Sequence, residues 1–352
     1  VTLLVVAHEG FRNGATRVLA GLLPLITEEV GVPVQVRVLT EGPMAAELRA
    51  ASTAVGPVEP SAVLVNSALA AGVLVELPEA VPSLVYVHEE GEALANLPDD
   101  AVEGLVARAG RVLCVSERSR AQLERLGVRA GRIGRVPPVI LAEAPEPAAV
   151  DAARARAGAA PGAALVVGCG EATWRKGTDL FVQLVRAVEA PVRFAWVGRR
   201  TRAFAKLLDC DTDLAGVGDR LRWVGEVDDA VPFLGAADLF VLTSREDPQP
   251  LVPLEAAVAG TATVGFGGTG LDDLAAGGAA RTVPYPDVAA LAAAVSATLA
   301  DQAARAALVG ASRALVARER SWEALAPTLV AEVQALVAGR APDDPGRGPT
   351  AP

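Results

Sequence analysis

Short, almost unbroken apolar runs alternate with stretches of helical length along this chain, and that alternation limits the fold more than any other feature. "TLLVVA" (2–7), "PVQVRVL" (33–39), "AVLVN" (62–66), "SLVYVH" (83–88) and "RVLCVS" (111–116) are rich in Val and Leu and too short to be helices. A strand that is apolar on both sides must be covered on both sides, which is the condition of a parallel sheet with helices above and below it. Around 137–163 the pattern lapses into "PPVILAEAPEPAAVDAARARAGAAPGA", where prolines, alanines and glycines predict a linker over 141–162. The alternation then restarts with "ALVVGCG" (164–170), "VRFAWVG" (192–198), "LRWVG" (221–225), "LFVLTS" (239–244), "ATVGF" (262–266) and "ARTVPY" (280–285). The predicted fold class is α/β, with two doubly wound, Rossmann-like parallel-sheet domains at 1–140 and 163–320 joined by a hinge. Open sheets of this kind bind ligands beyond the carboxyl ends of their strands, so the site is expected in a cleft where two such edges face each other. The last helical stretch, 321–339, is expected to pack back on the first domain, and 340–352 to be disordered.

Composition narrows the function classes. Hydrophobic residues are 51% and charged residues 21% of the 352, enough for a sizeable core. No apolar run reaches the roughly 18 residues that would cross a bilayer. The opening "VTLLVVAHEG" has neither a basic n-region nor a small-residue cleavage site, so it is expected to be a strand and not a signal peptide. Cys114, Cys169 and Cys210 show no C-x-x-C spacing, which points to a reducing cytoplasm and against a disulfide frame or zinc site. A net charge of −10 disfavours nucleic acid as a partner. The helical stretch 15–30 has one arginine and an acidic end, so membrane association is expected to be weak or absent. There is no G-x-G-x-x-G after the first strand and no G-x-x-x-x-G-K-[ST], which weighs against dinucleotide redox chemistry and P-loop hydrolysis.

The scarce residues carry information. Lysine occurs only at Lys176 and Lys206, and histidine only at His8 and His88. Lys206 in "RAFAKLLD" fits a solvated helix face, and His8 a structural place at a strand end. Trp174 is expected to pack a loop and Cys169 to fill the core. "DCDTD" (209–213) has a D-x-D spacing but is expected to be a solvated turn, so no metal is predicted.

"SREDPQPLVPLEAAVAG" (244–260) places Asp247 and Glu255 around two prolines where a helix should begin near Pro250 or Leu251. A helix start offers unpaired N–H groups and partial positive charge, a natural seat for phosphate. Pro248 and Pro250 stiffen the loop, while Gln249, Leu251 and Val252 keep their donors. Glu255, one turn inside, cannot sit on a phosphate, so a neutral diol such as a ribose is its expected partner. Asp247 would face another polar part of the ligand. Together these describe a nucleotide sugar. The alternative is that both acids merely charge the first turns of a helix, worth about 0.3–1 kcal/mol each.

The stretch "ADLFVLTSREDPQPLVPLEAAVAGTATVGFGGTGLDDL" (237–274) resembles the C-terminal signature of retaining glycosyltransferases of family 4, which have the GT-B fold. That signature is an E-x(7)-E pair, with Asp247 at the first position and Glu255 at the second. "VVGCGEATWRKGTDLFVQL" (166–184) is similar to the family's phosphate loop and helix, and "DRLRWVGEVDD" (219–229) to the segment lining the base. "AHEGFRNGATRVLAGLL" (7–23), "VLVNSALA" (63–70), "VYVHEEGE" (85–92) and "VLCVSERSRAQL" (112–123) match looser acceptor-domain motifs, so the likeness covers nearly the whole chain up to about residue 340.

The resemblance implies that Lys176, with Arg175, neutralises the donor diphosphate, and that Gly14 lets the first loop approach the same phosphates. It places Glu255 on the ribose, Asp247 on the transferred sugar, Leu251 and Val252 as backbone donors, Arg222, Trp223 and Val224 beside the base, and His88 near the sugar's reacting face. The chain departs from the family at Glu171, where an Arg is usual, at Asp247 for Glu, at Pro248 and Pro250 for glycines, and at Gln249 for an aromatic. The implied function is retaining, metal-independent and cofactor-free transfer of a hexosyl-type sugar, from UDP most often in the family, to an alcohol on a glycan or small molecule. The alternatives are a nucleotide-sugar-binding protein without transferase activity and a nucleotide-sugar epimerase on the same plan.

Overall fold

The computed structural model describes residues 2–54, 56, 59–140, 142–189 and 191–339, so the tail expected at 340–352 lies outside the described residues. The chain divides into two compact units, Val1–Leu141 with Trp322–Pro352, and Ala142–Ser321. The first unit holds strands β1 (Leu3–Glu9), β2 (Val34–Thr40), β3 (Ala62–Asn66), β4 (Ser83–Val87), β5 (Arg111–Cys114) and β6 (Ile133–Arg135). They form one sheet in the order β2-β1-β3-β4-β5-β6, with every pairing parallel. The second unit holds β7 (Ala164–Cys169), β8 (Val192–Val197), β9 (Leu221–Gly225), β10 (Leu239–Leu242), β11 (Thr263–Phe266) and β12 (Arg281–Val283). Their order is β12-β11-β10-β7-β8-β9, again all parallel.

The apolar runs become strands because only a sheet covered on both faces can bury them without a break. All five residues of β3 and all five of β4 are buried, whichever face each side chain takes. The edge strand β2 instead alternates between buried and more exposed positions. In the second unit Phe181, Phe194, Trp196, Phe240 and Phe266 are fully enclosed, and Phe181 meets the Trp196 ring edge-on at 5.2 Å between centroids.

Three features depart from expectation. Strand β6 has no apolar run: it is three residues long, with a glycine at its centre. A Cβ on Gly134 would lie 2.6 Å from the Arg111 guanidinium, so the position takes a glycine because a charged side chain crosses it. The predicted linker 141–162 contains a helix, Pro147–Arg156, that packs on helix Val231–Ala236 as part of the second unit. Arg154 of that helix donates to the Ala236 carbonyl at 2.6 Å. The "DCDTD" segment is not a turn either, for Asp209 to Asp213 lie within helix Arg202–Ala215, and Asp209 pairs with Arg200 at 2.5 Å.

The helix Trp322–Val337 packs in the first unit, on helix Gly14–Glu29 and against β3 and β4. Its anchor is charged. Arg111 Nε and Nη2 donate to the two Glu332 carboxylate oxygens at 3.1 and 2.6 Å. Gln334 Nε2 adds a bond to the Glu29 carbonyl at 3.2 Å. A forked pair with both partners largely out of water costs much when one member is removed, because the other is left buried and unpaired. Glu332→Gln is expected to lower the stability of the first unit by about 3–5 kcal/mol. In urea denaturation the double variant Arg111→Met, Glu332→Leu should lose less than the sum of the two single changes.

Candidate functional site

Strand β7 pairs with β8 on one side and β10 on the other. The chain leaves β7 toward β8 and returns on its other side as β10, so the loops at their carboxyl ends diverge and leave a crevice. Into this crevice the fold brings residues 170–177, after β7, and residues 243–250, after β10.

Gly177 decides how closely the two loops meet. It has φ +63° and precedes helix Thr178–Ala187, and a Cβ there would lie 2.0 Å from the Thr243 carbonyl oxygen. Thr243 Oγ1 donates to the Lys176 carbonyl at 3.1 Å, and the Arg245 N–H to the Arg175 carbonyl at 2.8 Å, which ties the loops together along their backbones. Held this way, Lys176 Nζ donates to Asp247 Oδ2 at 2.5 Å, and Ser244 Oγ donates to the same oxygen at 3.1 Å. Both charged side chains are largely buried. Arg175 is half-exposed, donates to the Glu246 carbonyl at 2.9 Å and lies 3.9 Å from Asp247 Oδ1. The Asp247 carboxylate therefore gathers an ammonium, a hydroxyl and a guanidinium.

Helix Leu251–Ala259 begins beside it with Pro250 as its cap residue, no side-chain cap and no acid in its first turn. Pro253 lacks an N–H. The Leu251 and Val252 N–H groups remain, and among the described residues neither has a hydrogen-bond partner. Two unpaired donors at the positive end of a helix, next to a lysine, suit an anion. Glu255 lies one turn further in and is buried. Gln249 turns elsewhere, donating to Asp273 Oδ2 at 2.7 Å.

The rim of the crevice is also ordered by charge. Arg245 makes a forked pair with Asp179 at 2.8 and 2.7 Å, and its guanidinium stacks over the Trp174 ring at 4.6 Å. Trp174, expected to pack a loop, is 58% exposed, with its indole laid over that ion pair. Glu171 pairs with Arg199 at 2.5 Å, so the position where the family has an Arg is tied to the loop after β8. Arg222, Trp223 and Val224 lie on β9, the edge strand two places from β7. Arg222 is exposed in mid-strand, whereas Trp223 packs toward the core beneath Arg200, whose guanidinium is 5.1 Å from its ring.

Gly14 and His88 belong to the first unit. Gly14 is the first residue of helix Gly14–Glu29, which Asn13 caps by accepting from the Thr16 N–H at 2.9 Å. His88 follows β4. Its Nε2 lies 2.9 Å from Asn66 Oδ1, and its ring centroid 4.2 Å from that of Tyr86. Burial lowers its pKa from 6.5 to about 4, and the nearby Glu89 opposes the shift without cancelling it, so the ring is neutral at physiological pH.

Three neighbours escaped the sequence analysis as site residues. Asn66 ends β3, Ser67 follows it in a left-handed conformation at φ 127°, and Glu89 holds Ser67 Oγ at 2.5 Å and the Ala68 N–H at 3.0 Å. A serine held there stores about 1–3 kcal/mol of strain, and such strain gathers at working sites. The signal in the sequence was the polar pair "NS" at the end of an apolar run.

Among the described residues no group of three or more His, Cys, Asp or Glu could hold a metal ion. No described helix is long and apolar enough to cross a membrane.

With this geometry the fold is that of the GT-B glycosyltransferases, two Rossmann-like units each built on a six-stranded parallel sheet. Residues 163–301, in the second unit, match the family described as Glycosyl transferases group 1. The lipopolysaccharide core biosynthesis mannosyltransferase LpcC of Rhizobium leguminosarum bv. viciae is 38% identical over 107 residues, which is 28% of this chain and 30% of that protein. LpsB of Rhizobium meliloti (strain 1021), described in the same words, is 36% identical over 124 residues, 33% of this chain and 35% of its own. The chain thus spans about a third of the length of the curated relatives it matches. Among solved structures, Anabaena HepE in complex with UDP and glucose is 15% identical and superposes with a TM-score of 0.83, covering 95% of this chain and 100% of that one.

Gly177→Ala is expected to cost about 1–3 kcal/mol from backbone strain alone and to push the two loops of the second unit apart. Thermal unfolding measures the first effect. The second should appear as faster amide hydrogen exchange in residues 170–177 and 243–250.

Proposed function

We propose that this chain is a retaining, metal-independent glycosyltransferase. It moves a hexosyl-type sugar from a nucleotide-diphosphate sugar, UDP in the first instance, to an alcohol on a glycan or small molecule. The observation that carries the proposal is the Lys176–Asp247 pair at 2.5 Å, set at the topological switch point beside the N–H groups of Leu251 and Val252, which have no partner among the described residues. The UDP and glucose bound by HepE and the mannosyltransferase descriptions of the two Rhizobium relatives support it.

In this reaction the bond from the anomeric carbon to the diphosphate oxygen breaks, and negative charge grows on the leaving oxygen. Lys176, Arg175 and the helix start stabilise that charge where it develops, the kind of fixed electrostatic arrangement that is usually the largest contribution to catalysis. The acceptor hydroxyl oxygen bonds to the anomeric carbon on the face the diphosphate leaves, and the departing phosphate oxygen takes its proton. No further base, metal or cofactor enters the balance. The Asp247 carboxylate keeps Lys176 in place until the diphosphate arrives and takes over the ammonium. Asp247 is then free to accept from sugar hydroxyls, while Glu255 meets the ribose. Of the base-lining residues, Val224 is nearest the carboxyl end of β9 and fits that role best. In this proposal the partners are donor and acceptor alone, and the enzyme works in the cytoplasm, where nucleotide sugars are made.

Lys176→Ala is expected to lower turnover by about 100- to 1,000-fold, the usual effect of deleting one fixed group that stabilises developing charge. The assay is product formation with UDP-glucose and GDP-mannose, with the melting temperature as a check on folding. Near-normal transfer by this variant overturns the assignment. Binding without transfer would instead mark a binding protein, and conversion of the donor with no acceptor an epimerase. Asp247→Asn is expected to bind UDP roughly tenfold more tightly, since a like charge beside the diphosphate is removed, yet to transfer sugar more slowly. Calorimetry and initial rates measure the two effects.

A further inference from the structure

Three elements of the first unit converge on one carboxamide. Asn66, at the end of β3, donates from Nδ2 to the Ala15 carbonyl in the first turn of helix Gly14–Glu29, at 3.1 Å. A carbonyl oxygen can only accept, so this end of the amide is the NH2 group. The other end, 2.9 Å from His88 Nε2, is therefore the oxygen. That oxygen can only accept in turn, so Nε2 carries a proton. In a neutral imidazole the remaining nitrogen, Nδ1, then bears the lone pair. Among the described residues Nδ1 has no hydrogen-bond partner, and His88 as a residue is only partly buried.

The backbone around the ring is held independently. Glu89 Oε2 accepts from the His88 N–H and from the Ala68 N–H, each at 3.0 Å, while Oε1 takes the Ser67 hydroxyl. One carboxylate thus clamps the loop after β4 to the loop after β3, which fixes the distance between Asn66 and His88.

We infer that Asn66 is a positioning residue that locks His88 as its Nε2–H tautomer, leaving Nδ1 as a fixed hydrogen-bond acceptor for a ligand hydroxyl. A bare Nδ1 has nothing to donate to a phosphate oxygen, so the ring selects the hydroxyl-bearing part of a ligand and not its diphosphate. The hydroxyl is that of a sugar only insofar as the glycosyl-transfer reading holds; the tautomer itself does not depend on that reading.

Two histidines in the chain make the test direct. Long-range proton–nitrogen NMR of the full-length, 15N-labelled protein at pH 7 distinguishes protonated from bare ring nitrogens, and His8→Gln identifies which signals belong to His88. The expected wild-type pattern is a protonated Nε2 and a bare Nδ1. Asn66→Ala should give a mixture of tautomers and lower turnover roughly tenfold or more, the scale expected when a contact group is misplaced. Asn66→Asp still accepts from Nε2–H; it should keep the single tautomer and raise the pH at which His88 takes up its second proton.

A wild-type protein with Nδ1 protonated, or with both tautomers, overturns the inference, as does Asn66→Ala with an unchanged tautomer. Scrambled tautomers with unchanged turnover overturn the role toward the ligand. Should Asn66→Ala fail to fold, the wild-type spectrum and Asn66→Asp decide the matter. The expected tautomer in a protein that transfers no sugar would leave the lock standing and remove the functional reading instead.

Discussion

Parallel pairing is the constraint on which the rest of this molecule depends. Strands buried on both faces must be connected by crossovers, and every crossover here leaves its strand at the same edge of the sheet. Polar residues that the core cannot accept are therefore collected at the carboxyl edge. In the second unit the order β10-β7-β8 opens a crevice at that edge, and Gly177 lets the two lips approach until Lys176 reaches Asp247. A larger residue at 177 would collide with the Thr243 carbonyl, so the charge pair is a consequence of backbone packing as much as of the charges themselves.

The first unit applies the same rule to different chemistry. Its order β2-β1-β3-β4 places the ends of β3 and β4 side by side, each followed by a polar group that the core rejects. There the gathered groups are an amide, a neutral imidazole, a hydroxyl and one carboxylate occupied in holding backbone. The second unit presents cations and open N–H groups, which suit a diphosphate. The first presents a neutral ring with a lone pair, which suits a hydroxyl. The division of labour follows from which residue types end the strands.

Much of this was legible in the sequence. The apolar runs located eleven strands because burial on both faces leaves a local signature, whereas β6 left none: its three residues owe their strand conformation to pairing with β5. The start of helix Leu251–Ala259 was readable from its prolines, and Lys176 from the scarcity of lysine. Helix Pro147–Arg156 was hidden because its surroundings read as a linker and its partner lies 84 positions onward, from Pro147 to Val231. Trp174 packs on the Arg245 guanidinium, whose position 71 residues onward no local pattern around the tryptophan indicates. The side chain of Gln249 found Asp273, a partner no local pattern indicates.

By itself the sequence determined the α/β class, the two-unit plan and the loops that would carry polar groups, because apolar periodicity and proline placement act within a few residues. Only the tertiary structure decided which of those groups meet. Lys176 and Asp247 are 71 residues apart, Asn66 and His88 are 22 apart, and Arg111 and Glu332 are 221 apart. Each pairing is fixed by strand order or by the docking of a distant helix. Contacts of that kind depend on which segments the core brings together, and no stretch of neighbouring residues contains that information.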